Sequence, residues 1–287
     1  MKSHQTTAPK ARKWIILGLA LSAAALLGLV HWLRGRHLEE TDDAYIDAHV
    51  AQVNSKVSGQ VVAVLVDDNQ KVLAGQLLVK LDPEDYRVQV ARARAGLVAA
   101  EAAARQAKLD ARRYAKLLAA NQVSRQMADK AASEAEVAAA NADTAREVLI
   151  QAKLNLSYTD ITAPQAGRVA RRSVEIQSFV EPGQPLMAIV PEDIYVIANF
   201  KETQLTRMRP GQSALVYVDA FPNHAFKAHV DSIQPGTGSR FSLLPPENAT
   251  GNFVKVVQRV PVKIVFDEPT NGRLTPGMSV VPVVDVR

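Results

Sequence analysis

The chain has 287 residues, 47% hydrophobic and 22% charged, with 34 Lys and Arg against 29 Asp and Glu and no cysteine. That size and balance fit one large or two to three small folded domains, and exclude a wholly disordered chain or a polytopic membrane protein. The missing cysteine excludes disulfides, thiol nucleophiles, cysteine zinc sites, iron–sulfur clusters and a lipidated N-terminal cysteine.

A net charge of +5 fits nucleic acid or a membrane surface, and position decides between them. Lys2, Lys10, Arg12 and Lys13 lie in residues 1–13, ahead of an uncharged stretch at 14–33, and Arg34 and Arg36 follow it. At 1.5 Å per residue that stretch makes a helix of ~30 Å, the thickness of a bilayer's hydrocarbon core. Trp14 and Trp32 mark the anchor ends, where an indole buries its ring and keeps its N–H at the interface. The basic excess before the segment predicts a cytoplasmic N-terminus, with the bulk of the chain on the other side. A cleaved signal peptide is the competing reading, since Ala23-Ala24-Ala25 resembles a cleavage site; the apolar run continues past it, which favours an uncleaved single span.

Residues 34–43 read as a charged linker. Over 44–82 a first strand, with Ala44, Ile46, Ala48 and Val50 on one side, leads into glycine-broken β runs. Gly59, Val61, Val72, Gly75, Gln76, Leu78 and Leu81 recur 108 residues later as Gly167, Val169, Val180, Gly183, Gln184, Leu186 and Ile189, within 158–190. Neither half is large enough to bury a core alone, so the two are expected to fold together into one small β-sandwich.

Between them, residues 83–157 hold 23 Ala and, after Pro83, no further proline. Asp82-Pro83-Glu84-Asp85 reads as a helix start, with Asp82 able to cap. One heptad seam runs Tyr86, Val90, Ala93, Leu97, Ala100, Ala104, Ala107, Ala111, Tyr114, Leu118. A second runs Ala128, Ala131, Ala135, Ala138, Ala142, Ala145, Leu149, Ala152, Leu156, after Asn121-Gln122-Val123 and a capping Ser124. The pattern predicts an antiparallel coiled-coil hairpin with arms of ~50 Å. Alanine seams bury little area, so lateral support from neighbouring copies or a partner is expected; a solvated spacer is the plainer reading. From 191 to 287, five or six β runs with Pro210-Gly211 and Pro276-Gly277 turns predict a small antiparallel β-barrel, with a long loop at 234–252. The fold class is thus mixed α and β and membrane-anchored.

Chemistry finds little footing: no nucleophile elbow, HExxH, P-loop or GxGxxG is present, and His224 and His229 suit no common ligand pair. Lys108, Arg112, Arg113, Lys116, Arg125 and Lys130 surround the hairpin tip. With Tyr114 the one aromatic among them and the tip outside the cytoplasm, they point to an acidic protein partner rather than nucleic acid. An enzyme is not expected. A substrate-binding module handing cargo to a pump, motivated by the 234–252 loop, is the alternative.

The duplicated motif, V-x-G-x-V and V-x-x-G-Q-x-L, resembles a split lipoyl/biotinyl domain. No acceptor-lysine turn is visible, so no cofactor is expected, and no metal. The anchor, the split β motif, the hairpin and the barrel together resemble the HlyD family of membrane-fusion, or periplasmic adaptor, proteins. Thr41-Asp42-Asp43-Ala44-Tyr45-Ile46, Ala163-Pro164-Gln165-Ala166-Gly167, Asn199-Phe200-Lys201-Glu202-Thr203-Gln204-Leu205 and Arg209-Pro210-Gly211-Gln212 carry the likeness, and residues 241–262 look like its EmrA branch. The resemblance implies an efflux adaptor in the inner membrane, its bulk in the periplasm. Its implied partners are an inner-membrane transporter of the major facilitator type, a TolC-like outer-membrane channel and further copies of itself. It also implies that Arg113, Leu117 and Ser124, in an Arg-x3-Leu-x6-Ser pattern, contact the channel.

Overall fold

The computed structural model describes residues 37–238, 257–270 and 272–287. The expected anchor, with Trp14 and Trp32, lies outside these residues, as does 239–252 of the long loop. Among the described residues no helix is long and apolar enough to cross a membrane. The chain divides into two compact units, Val50–Pro191 and Met1–His49 with Glu192–Arg287.

The first described strands, β1 (Leu38–Glu40) and β2 (Ala44–Ala48), belong to the second unit. The unit Val50–Pro191 holds β3 (Ala51–Asn54), β4 (Gly59–Val64), β5 (Lys71–Val72) and β6 (Leu77–Leu81). Helices α1 (Glu84–Ala119) and α2 (Arg125–Ser157) follow, then β7 (Asp160–Thr162), β8 (Gly167–Ala170), β9 (Phe179–Val180) and β10 (Pro185–Val190). The strands form two four-stranded sheets, β3-β10-β8-β5 and β7-β6-β4-β9.

The 108-residue repeat is a pseudo-twofold in the hydrogen bonding. Asn69 N–H donates to the Val169 carbonyl at 2.9 Å and Gln177 N–H to the Val61 carbonyl at 2.9 Å. Gly75 N–H reaches the Ala163 carbonyl and Gly183 N–H the Ser55 carbonyl, both at 2.8 Å. The strand pairs Gly59↔Val180 and Val72↔Gly167 repeat the exchange. Each half thus completes the other's ladder, which is why neither stands alone. The repeated apolar positions Val61, Val72, Leu78, Leu81, Val169, Val180, Leu186 and Ile189 are all buried in one shared core. Each such side chain contributes roughly 1.5–3 kcal/mol on burial.

The second unit joins β1 and β2 to β11 (Ile194–Lys201), β12 (Ser213–Val218), β13 (Ala225–Ile233), β14 (Arg259–Phe266) and β15 (Val280–Asp285). They form one antiparallel sheet in the order β1-β15-β12-β13-β14-β11-β2. The sheet closes on itself, because Ile46 N–H donates to the Met278 carbonyl at 2.9 Å and Gly277 N–H to the Ile46 carbonyl at 2.8 Å. Alternating residues such as Ile46, Val196, Phe200, Val216, Val230, Ile264 and Val284 fill its interior. Closure through Tyr45 and Ser279 leaves the three-residue β1 as a short edge in place of a long open one, which would otherwise template aggregation.

Two sequence expectations are corrected here. The stretch 34–43 is not wholly linker, since Leu38–Glu40 pairs with β15; a three-residue edge strand bonded on one side needs no apolar alternation. The strand at 44–48 does not belong with the first half-motif. Its buried Ala44, Ile46 and Ala48 face the barrel core, paired with β11.

Candidate functional site

The hairpin grows out of the sandwich between β6 and β7. α1 starts one residue later than expected, with Pro83 in the N-cap position and no side-chain cap of its own. Asp82 Oδ1 instead accepts from Glu84 N–H at 3.0 Å. Two tyrosines packed on the sandwich core tie down the base. Tyr86 Oη donates to the Ser58 carbonyl at 2.7 Å, and Lys56 Nζ sits 4.6 Å from the Tyr158 ring centre.

All the residues of the first seam are half-buried along α1, and those of the second are half-buried or buried along α2. Ala131, Ala142, Leu149 and Ala152 are buried, yet α1 has no buried residue at all. The alanine seam is in register but shallow. A cross-arm ion pair, Arg146 Nη2 to Glu101 Oε1 at 3.2 Å, places those two residues at one level of the hairpin.

At the tip α1 ends in a Schellman turn. Gln122 N–H donates to the Leu117 carbonyl and Asn121 N–H to the Leu118 carbonyl, both at 2.9 Å. Asn121 takes the left-handed conformation, φ 57°, which asparagine tolerates better than most residues. Ser124 then caps α2 as expected, its Oγ accepting from Met127 N–H at 3.3 Å.

The three residues of the tip pattern therefore sit on adjoining turns. Arg113 is exposed and pairs with Asp110 at 2.6 Å; Leu117, one turn on, is half-buried; Ser124 opens the return helix. Arg125 and Lys130 lie 3.9 Å from Asp129 and 3.8 Å from Glu134 in exposed i,i+4 pairs, too solvated to hold the tip together.

A polar clasp near β1 was not anticipated. Thr41 is buried, and its Oγ1 donates to the Asn199 carbonyl at 3.0 Å. Asn199 Nδ2 donates to Asp43 Oδ1 at 3.1 Å, and Arg259 reaches both the Asn199 carbonyl at 3.0 Å and Asp43 at 3.3 Å. Gln204 Nε2 donates to Glu39 Oε2 and to the Glu40 carbonyl, each at 3.0 Å. The phrases at 41–46 and 199–205 were both visible in sequence; that they meet was not. Elsewhere in this unit the Arg287 guanidinium, hydrogen-bonded to the Asp285 carboxylate, holds that carboxyl below its usual range. Among the described residues no group of three or more His, Cys, Asp and Glu is placed to hold a metal.

Residues 49–192 match the barrel-sandwich hybrid domain of RND membrane fusion proteins, and 193–285 the AAEA-like β-barrel domain. The chain is 34% identical to the Colistin resistance protein EmrA of Acinetobacter baumannii, covering 88% of each chain. It is also 34% identical to the Multidrug export protein EmrA of Escherichia coli, over 85% of this chain and 75% of that one. A membrane fusion protein of Streptococcus pneumoniae shares the fold, with a TM-score of 0.64 at 18% identity over 86% of this chain and 97% of that one. The chain belongs to the HlyD family of membrane-fusion, or periplasmic adaptor, proteins, on its EmrA-like branch.

Proposed function

We propose that this chain is the periplasmic adaptor of a tripartite efflux system. It links an inner-membrane transporter of the major facilitator class to a TolC-like outer-membrane channel. The observation that carries this reading is the hairpin inserted between two interlocked half-motifs, with a capped, basic tip at its far end. Relatives named for multidrug export support the transport role. The segment 14–33 anchors the chain as a single span, Trp14 and Trp32 lying at the two interfaces and the N-terminus in the cytoplasm. Arg113, Leu117 and Ser124 meet the channel. The adaptor catalyses nothing; it organises a conduit whose energy comes from the transporter.

Leu117→Asp places a charge on the half-buried tip without touching the seam. It is expected to abolish export while expression and membrane attachment persist; normal resistance in that variant refutes the tip assignment. Photo-crosslinkers at positions 32 and 117 are expected to capture the transporter and the channel respectively.

A further inference from the structure

Residues 34–36 are all that separates the expected span from His37, whose carbonyl is already bonded into the barrel by Val286 N–H at 2.8 Å. Four Cα steps from Leu33 reach at most about 14 Å even when fully extended, and the headgroup layer takes up roughly 5–7 Å of that. The barrel end that carries His37 is therefore held at the lipid surface by the chain itself. The chain leaves for the sandwich from the opposite end of β2 and β11, where Ala48 pairs with Ile194.

At the His37 end three arginines converge on one glutamine. Gln212 Nε2 donates to the Arg207 carbonyl at 3.0 Å and to the Arg287 carbonyl at 3.4 Å, while its Oε1 accepts from Arg209 N–H at 2.8 Å. Arg207 Nη1 lies 3.4 Å from His37 Nδ1, so the cluster abuts the tether. All three arginines are exposed. Asp285 holds Arg287, whereas Arg209 Nη1 meets the backbone carbonyls of Thr206 and Met208. Residues 34–40, 201–213 and 285–287 together carry six Lys and Arg against four Asp and Glu, and the turn at 203–213 has two arginines and no acid. Leu38, 47% exposed, adds an apolar edge beside them. A guanidinium is a planar fork of donors that matches phosphate oxygens.

We propose that this end of the barrel seats on the bilayer, with Arg207, Arg209 and Arg287 donating to the phosphates of anionic lipids. The tether favours lipid over a protein loop, because it keeps the cluster within reach of headgroups whether or not a transporter is bound. A single span fixes where the adaptor stands and leaves its tilt open; a three-arginine seat beside the tether restrains that tilt. The proposal rests on the reading of 14–33 as a membrane span.

The cysteine-free chain takes a single label. Full-length protein carrying Thr206→Cys, Pro222→Cys or Ala24→Cys, each coupled to a nitrobenzoxadiazole dye, is reconstituted into vesicles of phosphatidylcholine alone or mixed equally with phosphatidylglycerol. Spin labels on the headgroup or the acyl chain quench dyes at those depths. The dye at 206 is expected to be quenched from the headgroup, more so with phosphatidylglycerol, and the dye at 222, on the far end of the barrel, to escape. The dye at 24 is expected to be quenched from the acyl chain. Arg207→Ala with Arg209→Ala should abolish the gain that phosphatidylglycerol brings at 206, and Arg207→Lys with Arg209→Lys, which keeps the charge, should retain most of it. With position 24 quenched, a dye at 206 that behaves like the one at 222, or that ignores phosphatidylglycerol or the alanine pair, overturns the seat. Quenching at 206 that appears only with a co-reconstituted transporter assigns the cluster to a protein partner and overturns it too. No quenching at 24 overturns the reading of the span, and the seat with it.

Discussion

Gly59 and Gly167 occupy equivalent places in the two half-motifs, but their surroundings differ. A Cβ on Gly167 would lie 2.4 Å from the Val190 carbonyl oxygen and 2.8 Å from Ile189 Cγ2; one on Gly59 would meet Leu81 Cβ at an ordinary 3.5 Å. Gly167→Ala must therefore move backbone and is expected to cost about 2–3 kcal/mol, whereas Gly59→Ala should stay within about 1 kcal/mol of the parent; urea melts of the two variants check the asymmetry. The Gly-Gln dipeptides have a second logic. Gly75, Gly183 and Gly211 sit at φ 78°, 85° and 88° in tight turns. In each turn the following glutamine folds back, Gln76, Gln184 and Gln212 accepting through Oε1 from the N–H of Leu73, Glu181 and Arg209 at 3.0, 3.0 and 2.8 Å. Each side chain satisfies an amide that the turn would leave open, so Gln184→Ala should cost about 1 kcal/mol. The Asp285 carboxyl, its pKa lowered by Arg287, binds its proton more readily unfolded than folded. It stabilises the chain above the ordinary carboxylate pKa and loses that contribution as pH falls through the folded value. Asp285→Asn should flatten the acid limb of stability and leave the alkaline limb alone.

Among the elements, the hairpin was the most legible in sequence. Heptad steps and the Ser124 cap are local signals, and the helices obey them to within a residue of the expected ends. The Schellman turn was partly hidden, because asparagine is a weaker left-handed signal than glycine. What escaped were β1 and the sheet to which β2 belongs, because their pairing partners, β15 and β11, lie more than 140 residues away in the chain. A three-residue charged strand carries no pattern of its own, and the apolar alternation of β2 reports burial without saying against which sheet. The cap also complicates the tip. Ser124→Ala removes the oxygen that accepts from Met127 N–H and should cost about 1 kcal/mol of hairpin stability whether or not Ser124 touches a channel. Ser124→Asp keeps the cap and changes only the surface chemistry. Loss of export in Ser124→Asp, with unchanged melting by circular dichroism, assigns Ser124 to the contact; loss in Ser124→Ala alone assigns it to the fold.

At the scale of the whole molecule, the two units are built from the chain in different ways, and this predicts how each behaves alone. The sandwich and hairpin come from one continuous stretch, Val50–Pro191, and all sixteen buried residues of the sandwich core lie within it. The barrel is discontinuous. Its sheet needs β1 and β2 from before the sandwich, β2 bonding β11 over five residue pairs and β1 bonding β15 over three. Ile46, fully buried, and the clasp of Thr41 and Asp43 on Asn199 and Arg259 arrive on the same segment. A fragment of residues 50–191 should therefore melt cooperatively with the helix content of the parent. A fragment of residues 192–287 loses a fully buried isoleucine, worth roughly 1.5–3 kcal/mol, and exposes β11 and β15 as open edges. It should aggregate or remain uncooperative by thermal circular dichroism and size-exclusion chromatography. Adding residues 37–49 in trans as a peptide should restore a cooperative transition, because the missing strands are paired on the barrel rather than on the sandwich. Failure of that rescue, with an intact 50–191 fragment, would mean that the barrel draws its order from the covalent connection itself.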